Sequence, residues 1–316
     1  MDYQPPFLHR FAHFGTIIPS QFRNVSDVRY TRETMDTLDD DFIDLDYSKV
    51  NGSTGVLLIH GLEGSSDSAY MKGLTRVLNQ NGMDSIAMNF RGCSGRPNNQ
   101  MTSYHSGISA DLETVVNHVE QQYDRLFIVG FSLGGNVSLK WSGEYANKPH
   151  PKVKGVVGIS VPCDLNGSGT ELFKPQNFIY LRRFLRQLKE KALDKIDRFD
   201  DSYLDREAIS NASNFMQFDQ EFTAPVHGFD SAMDYYTKSS CAQFIPSIKR
   251  PALIINAKND SFLNEACYPY EEVGRNELVT LLTPKYGGHV GFASNFSMNL
   301  PFWHEKKVLD FIQKVG

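Results

Sequence analysis

Apolar positions change their rhythm along this chain at Gly55. Before it, Val25 to Met35 and Phe42 to Ser48 alternate apolar with polar side chains, the period of half-buried strands. The acidic turn Asp36 to Asp41 between them predicts an antiparallel pair. After Gly55, short apolar runs take over: Val56-Leu57-Leu58-Ile59, Ser85-Ile86-Ala87-Met88, Arg125-Leu126-Phe127-Ile128-Val129 and Val156-Val157-Gly158-Ile159. Such runs suit strands buried on both faces. Stretches of helical spacing separate them, at Ala69 to Asn79, around Ser106 to Gln121, and at Asn136 to Ala146, so the pattern repeats strand, helix, strand.

That rhythm breaks from Asp164 to about Pro246, where a charged helical stretch (Tyr180 to Lys195), an acidic turn region (Asp197 to Asp205) and aromatic-rich segments to Tyr236 predict a mainly helical insertion. Strands resume at Pro251 to Ile255 and at Leu278 to Leu282, and an amphipathic helix runs from about Phe302 to Val315. The expectation is an α/β fold: a mostly parallel eight-stranded sheet with helices on both faces. A first core part (1–163) and a second (247–316) flank a helical cap insertion (164–246). The residues before Val25 read as a Pro- and aromatic-containing leader without an element.

Composition narrows the function. The chain has 316 residues, 41% of them hydrophobic, enough for a core without disulfide staples. A net charge of -5 with mixed signs gives no basic field for nucleic acid. Cys93, Cys163, Cys241 and Cys267 lack the spacing of a zinc site, so no metal is expected. The N-terminus has no positive stretch followed by an apolar run, and no segment approaches the roughly 18 apolar residues of a membrane span. These features predict a soluble, cytoplasmic protein with no integral membrane association.

The candidate chemistry starts at Gly130-Phe131-Ser132-Leu133-Gly134, a G-x-S-x-G stretch placed after a strand and before a helix. In such an elbow the serine sits on a strained turn, and the glycines leave room for close neighbours. Ser132 is the candidate nucleophile. A serine hydroxyl needs an imidazole to take its proton and a carboxylate to orient the imidazole. Asp260, after the strand at 251–255, and His289, in Tyr286-Gly287-Gly288-His289-Val290-Gly291-Phe292, follow in the required order; Asp164 and Asp230 are the competing carboxylates. An oxyanion also needs backbone donors, and the Leu62 amide in His60-Gly61-Leu62-Glu63-Gly64 and the Leu133 amide are the expected pair. His60 reads as a group that holds this loop, and Glu63 as a loop residue.

Together with Asn89-Phe90-Arg91-Gly92-Cys93-Ser94-Gly95, Tyr104-His105-Ser106-Gly107, His227-Gly228-Phe229 and Asp234-Tyr235-Tyr236, these motifs resemble the YheT-like hydrolases and carboxylesterases of the α/β-hydrolase superfamily, related to eukaryotic abhydrolase-domain lipases and yeast ethyl ester synthases. The resemblance spans nearly the whole chain. It implies an α/β-hydrolase fold, the triad Ser132, Asp260 and His289, no cofactor, and hydrolysis of small-molecule esters with short- to medium-chain acyl groups or of acylglycerols. Acyl transfer to an alcohol, which uses the same triad, and a non-catalytic binding module are the rival readings. Arg91 is expected to pair with a carboxylate under the site, and His227 to cap a helix beginning near Ser231. The helix with Leu181, Leu185 and Leu188 on one face and basic residues around them reads as a lid; its character is compatible with transient contact with a lipid surface.

Overall fold

A helix that the apolar pattern does not announce begins the fold. In the computed structural model, which describes residues 3–199 and 203–316, Phe7–Arg10 form a 3-10 turn and Ala12–Phe22 the helix α1, where a plain leader was expected. The reason is legible in its packing: α1 turns Gly15, Thr16 and Pro19 inward and its large apolar side chains outward, so the core-facing stripe that marks most helices is missing.

Strand β1 (Thr31–Asp36) pairs antiparallel with β2 (Phe42–Ser48). It starts later than the alternation from Val25 suggests, because the Tyr30 hydroxyl meets Thr75 at 3.0 Å and draws the preceding segment across a helix. There follow β3 (Thr54–Ile59), α2 (Ala69–Gln80), β4 (Asp84–Asn89), α3 (Ser109–Val119), β5 (Arg125–Phe131), α4 (Leu133–Glu144) and β6 (Val153–Ile159). Helices occupy most of the chain before the next strand: α5 (Leu165–Phe173), the long α6 (Phe178–Arg198), and the short α7 (Arg206–Asn211), α8 (Phe215–Phe218), a π-helical turn (Asp219–Thr223), α9 (Ala224–His227) and α10 (Ala232–Ser239). The acidic region Asp197 to Asp205 lies partly outside the described residues. Strand β7 (Ala252–Ile255), α11 (Tyr270–Gly274), β8 (Val279–Leu282) and α12 (Trp303–Val315) complete the chain.

The eight strands lie in the order β1-β2-β4-β3-β5-β6-β7-β8, antiparallel around β2 and parallel from β4 onward. Alternation along β5 explains its unbroken apolar run. Leu126 and Ile128 enter one core with Leu112 and Val116 of α3 and Val137 and Trp141 of α4. Phe127, Val129 and Phe131 enter the other, with Met71 and Leu74 of α2 and Val308 and Ile312 of α12. A strand covered on both faces has no polar side to show.

Polar residues under the sheet edge are paired. Arg91, after β4, grips Asp111 of α3 with two bonds (2.8 and 2.7 Å) and reaches Asp39 (2.6 Å) and Asp41 (3.1 Å) before β2. On β2, buried Asp44 receives Arg96 at 3.0 and 2.7 Å, and Asp46 receives Arg32 at 2.8 Å on each oxygen. Among the described residues no helix is long and apolar enough to cross a membrane.

Candidate active site

Strand β5 runs straight into α4, and the turn between them is Ser132 alone. Its backbone stands at φ 52° and ψ -119°, a region that a residue with a Cβ adopts only under constraint. A Cβ on Gly134 would lie 2.4 Å from the carbonyl oxygens of Ile59 and His60, and one on Gly130 would lie 2.2 Å from the Gly134 carbonyl oxygen. Gly134 is therefore the condition for the elbow to pass so close to β3, and Gly130 the condition for the first turn of α4 to pack back on the end of β5. Because α4 begins at the elbow itself, it starts at Leu133 and not at Asn136.

His289 arrives on the loop after β8. Its Nε2 lies 2.9 Å from Ser132 Oγ, and its Nδ1 lies 2.8 Å from Asp260 Oδ2. The Asp260 side chain is fully enclosed and its other oxygen accepts the Phe262 amide at 2.9 Å. A carboxylate in that place favours the tautomer with the proton on Nδ1, which leaves Nε2 free to accept from the serine. Of the competing carboxylates, Asp164 instead caps α5 by accepting the Gly167 amide at 2.6 Å, and Asp230 sits in an exposed turn before α10, its amide donating to Asp234.

The imidazole is fixed by groups that no motif marks. The His289 amide donates to Thr16 Oγ1 of α1 at 2.9 Å, the Val290 amide to Ser160 Oγ at 2.9 Å, and the Gly288 amide to Asn259 Oδ1 at 3.0 Å. Phe262 stacks on the ring, with centroids 4.2 Å apart. Phe262 follows Asp260 by two residues and so was within reach of sequence reasoning; Thr16 was not.

The loop after β3 passes beside the elbow. His60 is fully buried, its Nδ1–H donates to the Gly61 carbonyl at 2.7 Å, and its Nε2 accepts the Phe90 amide at 3.1 Å, so burial, which pushes its pKa down to about 4, keeps it neutral and structural. Tyr70 accepts the Gly61 amide and Tyr104 the Glu63 amide, each at 3.0 Å. Glu63 does more than the loop residue expected of it: its carboxylate receives the Tyr104 hydroxyl at 2.6 Å and Lys191 of α6 at 2.9 Å. Among the described residues the amides of Leu62 and Leu133 have no acceptor, and both residues line the same cavity as Ser132 and His289. Two unclaimed amides beside a serine are what an incoming oxyanion requires.

That cavity has a volume of about 380 Å³. Aromatic side chains from the α5–α10 segment and the Asp260 loop form part of its wall, among them Tyr180, Phe184, Phe215, Phe218 and Phe262. Leu181 and Leu185 of α6 are buried in this cluster, and Leu188 packs against it half-buried. Asp219 on this wall is an enclosed carboxyl: burial raises its pKa to about 6, against the lowering effect of bonds from Thr223 (2.5 Å) and Tyr236 (2.7 Å). His227 does not cap a helix. Ser231 caps α10 by accepting the Asp234 amide, while His227 ends α9 with its ring 4.6 Å from that of His105 and its buried Nε2 unpartnered.

Several known proteins are similar to this chain. Over 95% of its length the chain is 30% identical to the protein named "Putative esterase YheT" of Escherichia coli (strain K12), of which it covers 90%. It is 26% identical to human phospholipase ABHD3 over 90% of its own length and 72% of that protein's, and 24% identical to the monoacylglycerol lipase of Saccharomyces cerevisiae over 82% and 58%. Among solved structures, the esterase Pf2001 of Pyrococcus furiosus superposes with a TM-score of 0.59 at 16% identity, covering 91% of this chain and 93% of that one. Residues 55–296 match the family described as the alpha/beta hydrolase fold. With Ser132 on a strained turn after β5, Asp260 and His289 on the loops after β7 and β8, and a sheet of this order, the chain belongs to the alpha/beta hydrolase fold family.

Proposed function

We propose that this protein is a serine hydrolase of carboxylic esters, acting on short- to medium-chain acyl esters or monoacylglycerols. The observation that carries the reading is the unbroken relay from Ser132 Oγ through His289 to Asp260, at 2.9 and 2.8 Å, on a serine held at positive φ. His289 Nε2 takes the hydroxyl proton as Ser132 Oγ attacks the ester carbonyl. The Leu62 and Leu133 amides hold the oxyanion, and Asp260 stabilises the imidazolium. The intermediate collapses as His289 returns the proton to the departing alcohol, leaving an acyl-serine. Water, deprotonated by His289, then releases the acid. The helices of residues 164–246 act as the roof that sets acyl preference, between core parts 1–163 and 247–316. The aromatic cavity wall and the esterase and lipase names of the relatives support the substrate class.

The test is turnover of p-nitrophenyl esters from acetate to palmitate by the purified protein and by Ser132→Ala, with labelling by a fluorophosphonate. The expected result is activity and labelling that both vanish with Ser132. A folded protein that neither turns over nor labels would overturn the reading.

A further inference from the structure

The first helix is built inside out. Phe7, Phe11 and Phe14 are 66%, 52% and 51% exposed, and Ile17 is also exposed, while the small residues Gly15, Thr16 and Pro19 face the protein. Large apolar side chains gathered on one exposed face mark a surface meant to be covered. The patch continues onto the start of α6, where Phe178 and Ile179 are 57% and 73% exposed. The two elements touch there, through His13 and Tyr180, at 3.2 Å and with stacked rings. Charge is distributed to match. No Asp or Glu occurs from Tyr3 to Ser26 or from Phe178 to Lys189. Arg10, Arg182 and Arg183 are exposed in those segments and make no ion pair among the described residues. The patch also borders the candidate active site, since Thr16, Pro19 and Ser20 of α1 and Tyr180 and Phe184 of α6 line its cavity.

We propose that this face, formed by the outer side of α1 and the start of α6, docks on an anionic phospholipid surface and presents the cavity mouth to it. An interfacial helix places its apolar side among acyl chains and its basic residues at the headgroups, which is the arrangement here. A second copy fits less well: a two-fold pair would bring the same patch against itself, and the patch offers no carboxylate to its own arginines. The proposal extends the esterase reading by naming where its substrate is met, and docking itself does not depend on turnover.

Co-sedimentation with vesicles of phosphatidylcholine alone, or in an equimolar mixture with phosphatidylserine, tests it. On the Ser132→Ala background the protein should pellet with the mixed vesicles, and Phe11→Ser with Phe14→Ser should weaken that binding about tenfold or more. Arg10→Gln with Arg182→Gln should remove the preference for phosphatidylserine. In the Ser132-containing protein, neither pair should change turnover of soluble p-nitrophenyl butyrate, because none of the four residues lines the cavity. No binding to mixed vesicles, or equal binding by the serine pair, would overturn the proposal. So would a dimer in sedimentation velocity that the serine pair splits, which would assign the face to a second copy. Loss of the esterase reading would show separately, as turnover that survives Ser132→Ala.

Discussion

At the scale of single residues, Ser132 is where backbone strain and chemistry coincide. A residue with a Cβ at φ 52° costs on the order of 1–3 kcal/mol, and it is held by its amide on the Ile159 carbonyl and by the Asn136 amide on its own carbonyl, at 2.8 and 3.0 Å. On the proposed reading Asp260 acts through the imidazole and little through packing. Asp260→Asn should therefore lower kcat by about 10³- to 10⁴-fold with the fold retained, measured on a p-nitrophenyl ester beside circular dichroism. Near-normal kcat would send the search to another acid. The three residues that meet here were legible because strand, glycine and chain order mark each of them. Thr16 and Ser160 were not, because their bonds to the His289 loop join positions 273 and 130 residues apart and no local pattern encodes such a pairing. His227 misled for a related reason: the capping function next to it belongs to Ser231.

Among elements, the β1–β2 pair carries its stability in buried carboxylates. Burial alone would raise the pKa of Asp44, but the hydrogen bond from Arg96 and those from Ser94 and Thr34 outweigh it and hold it at about 2, below its ordinary 3.8. A depressed carboxylate stabilises the fold above its unfolded pKa and loses that contribution as pH falls through the folded one. Asp44→Asn should thus unfold at lower denaturant than the wild type at pH 6, and the gap should narrow between about pH 4 and pH 2. A gap that stays constant across that window would place the role of Asp44 in packing. The buried parallel strands were easy to read, since a strand covered on both faces shows a plain apolar run. Helix α1 was invisible for the opposite reason, its apolar side facing out, and the short helices between α6 and β7 were blurred because four to eight residues give too few turns for a period to show.

Over the whole molecule, the two ends of the chain meet. Arg23, just after α1, donates to both oxygens of Glu305 in the first turn of α12, at 2.6 and 3.0 Å, with both side chains essentially enclosed and the guanidinium 3.8 Å from the Phe302 ring. Removing one partner leaves a buried charge unpaired, so Arg23→Met should cost about 3–5 kcal/mol in denaturant unfolding. Arg23→Met with Glu305→Leu should recover most of that loss, and a double variant as unstable as the single one would contradict the pairing account. The mostly parallel eight-stranded sheet was legible as a repeat of strand and helix, whereas its strand order was not read, and this closure joins residues that share no motif. It also bears on how the protein is made. Ser132 is made 157 residues before His289 and Thr16 is made 273 before it, so on the proposed reading the nascent chain carries a nucleophile without its base until the loop after β8 has been synthesised.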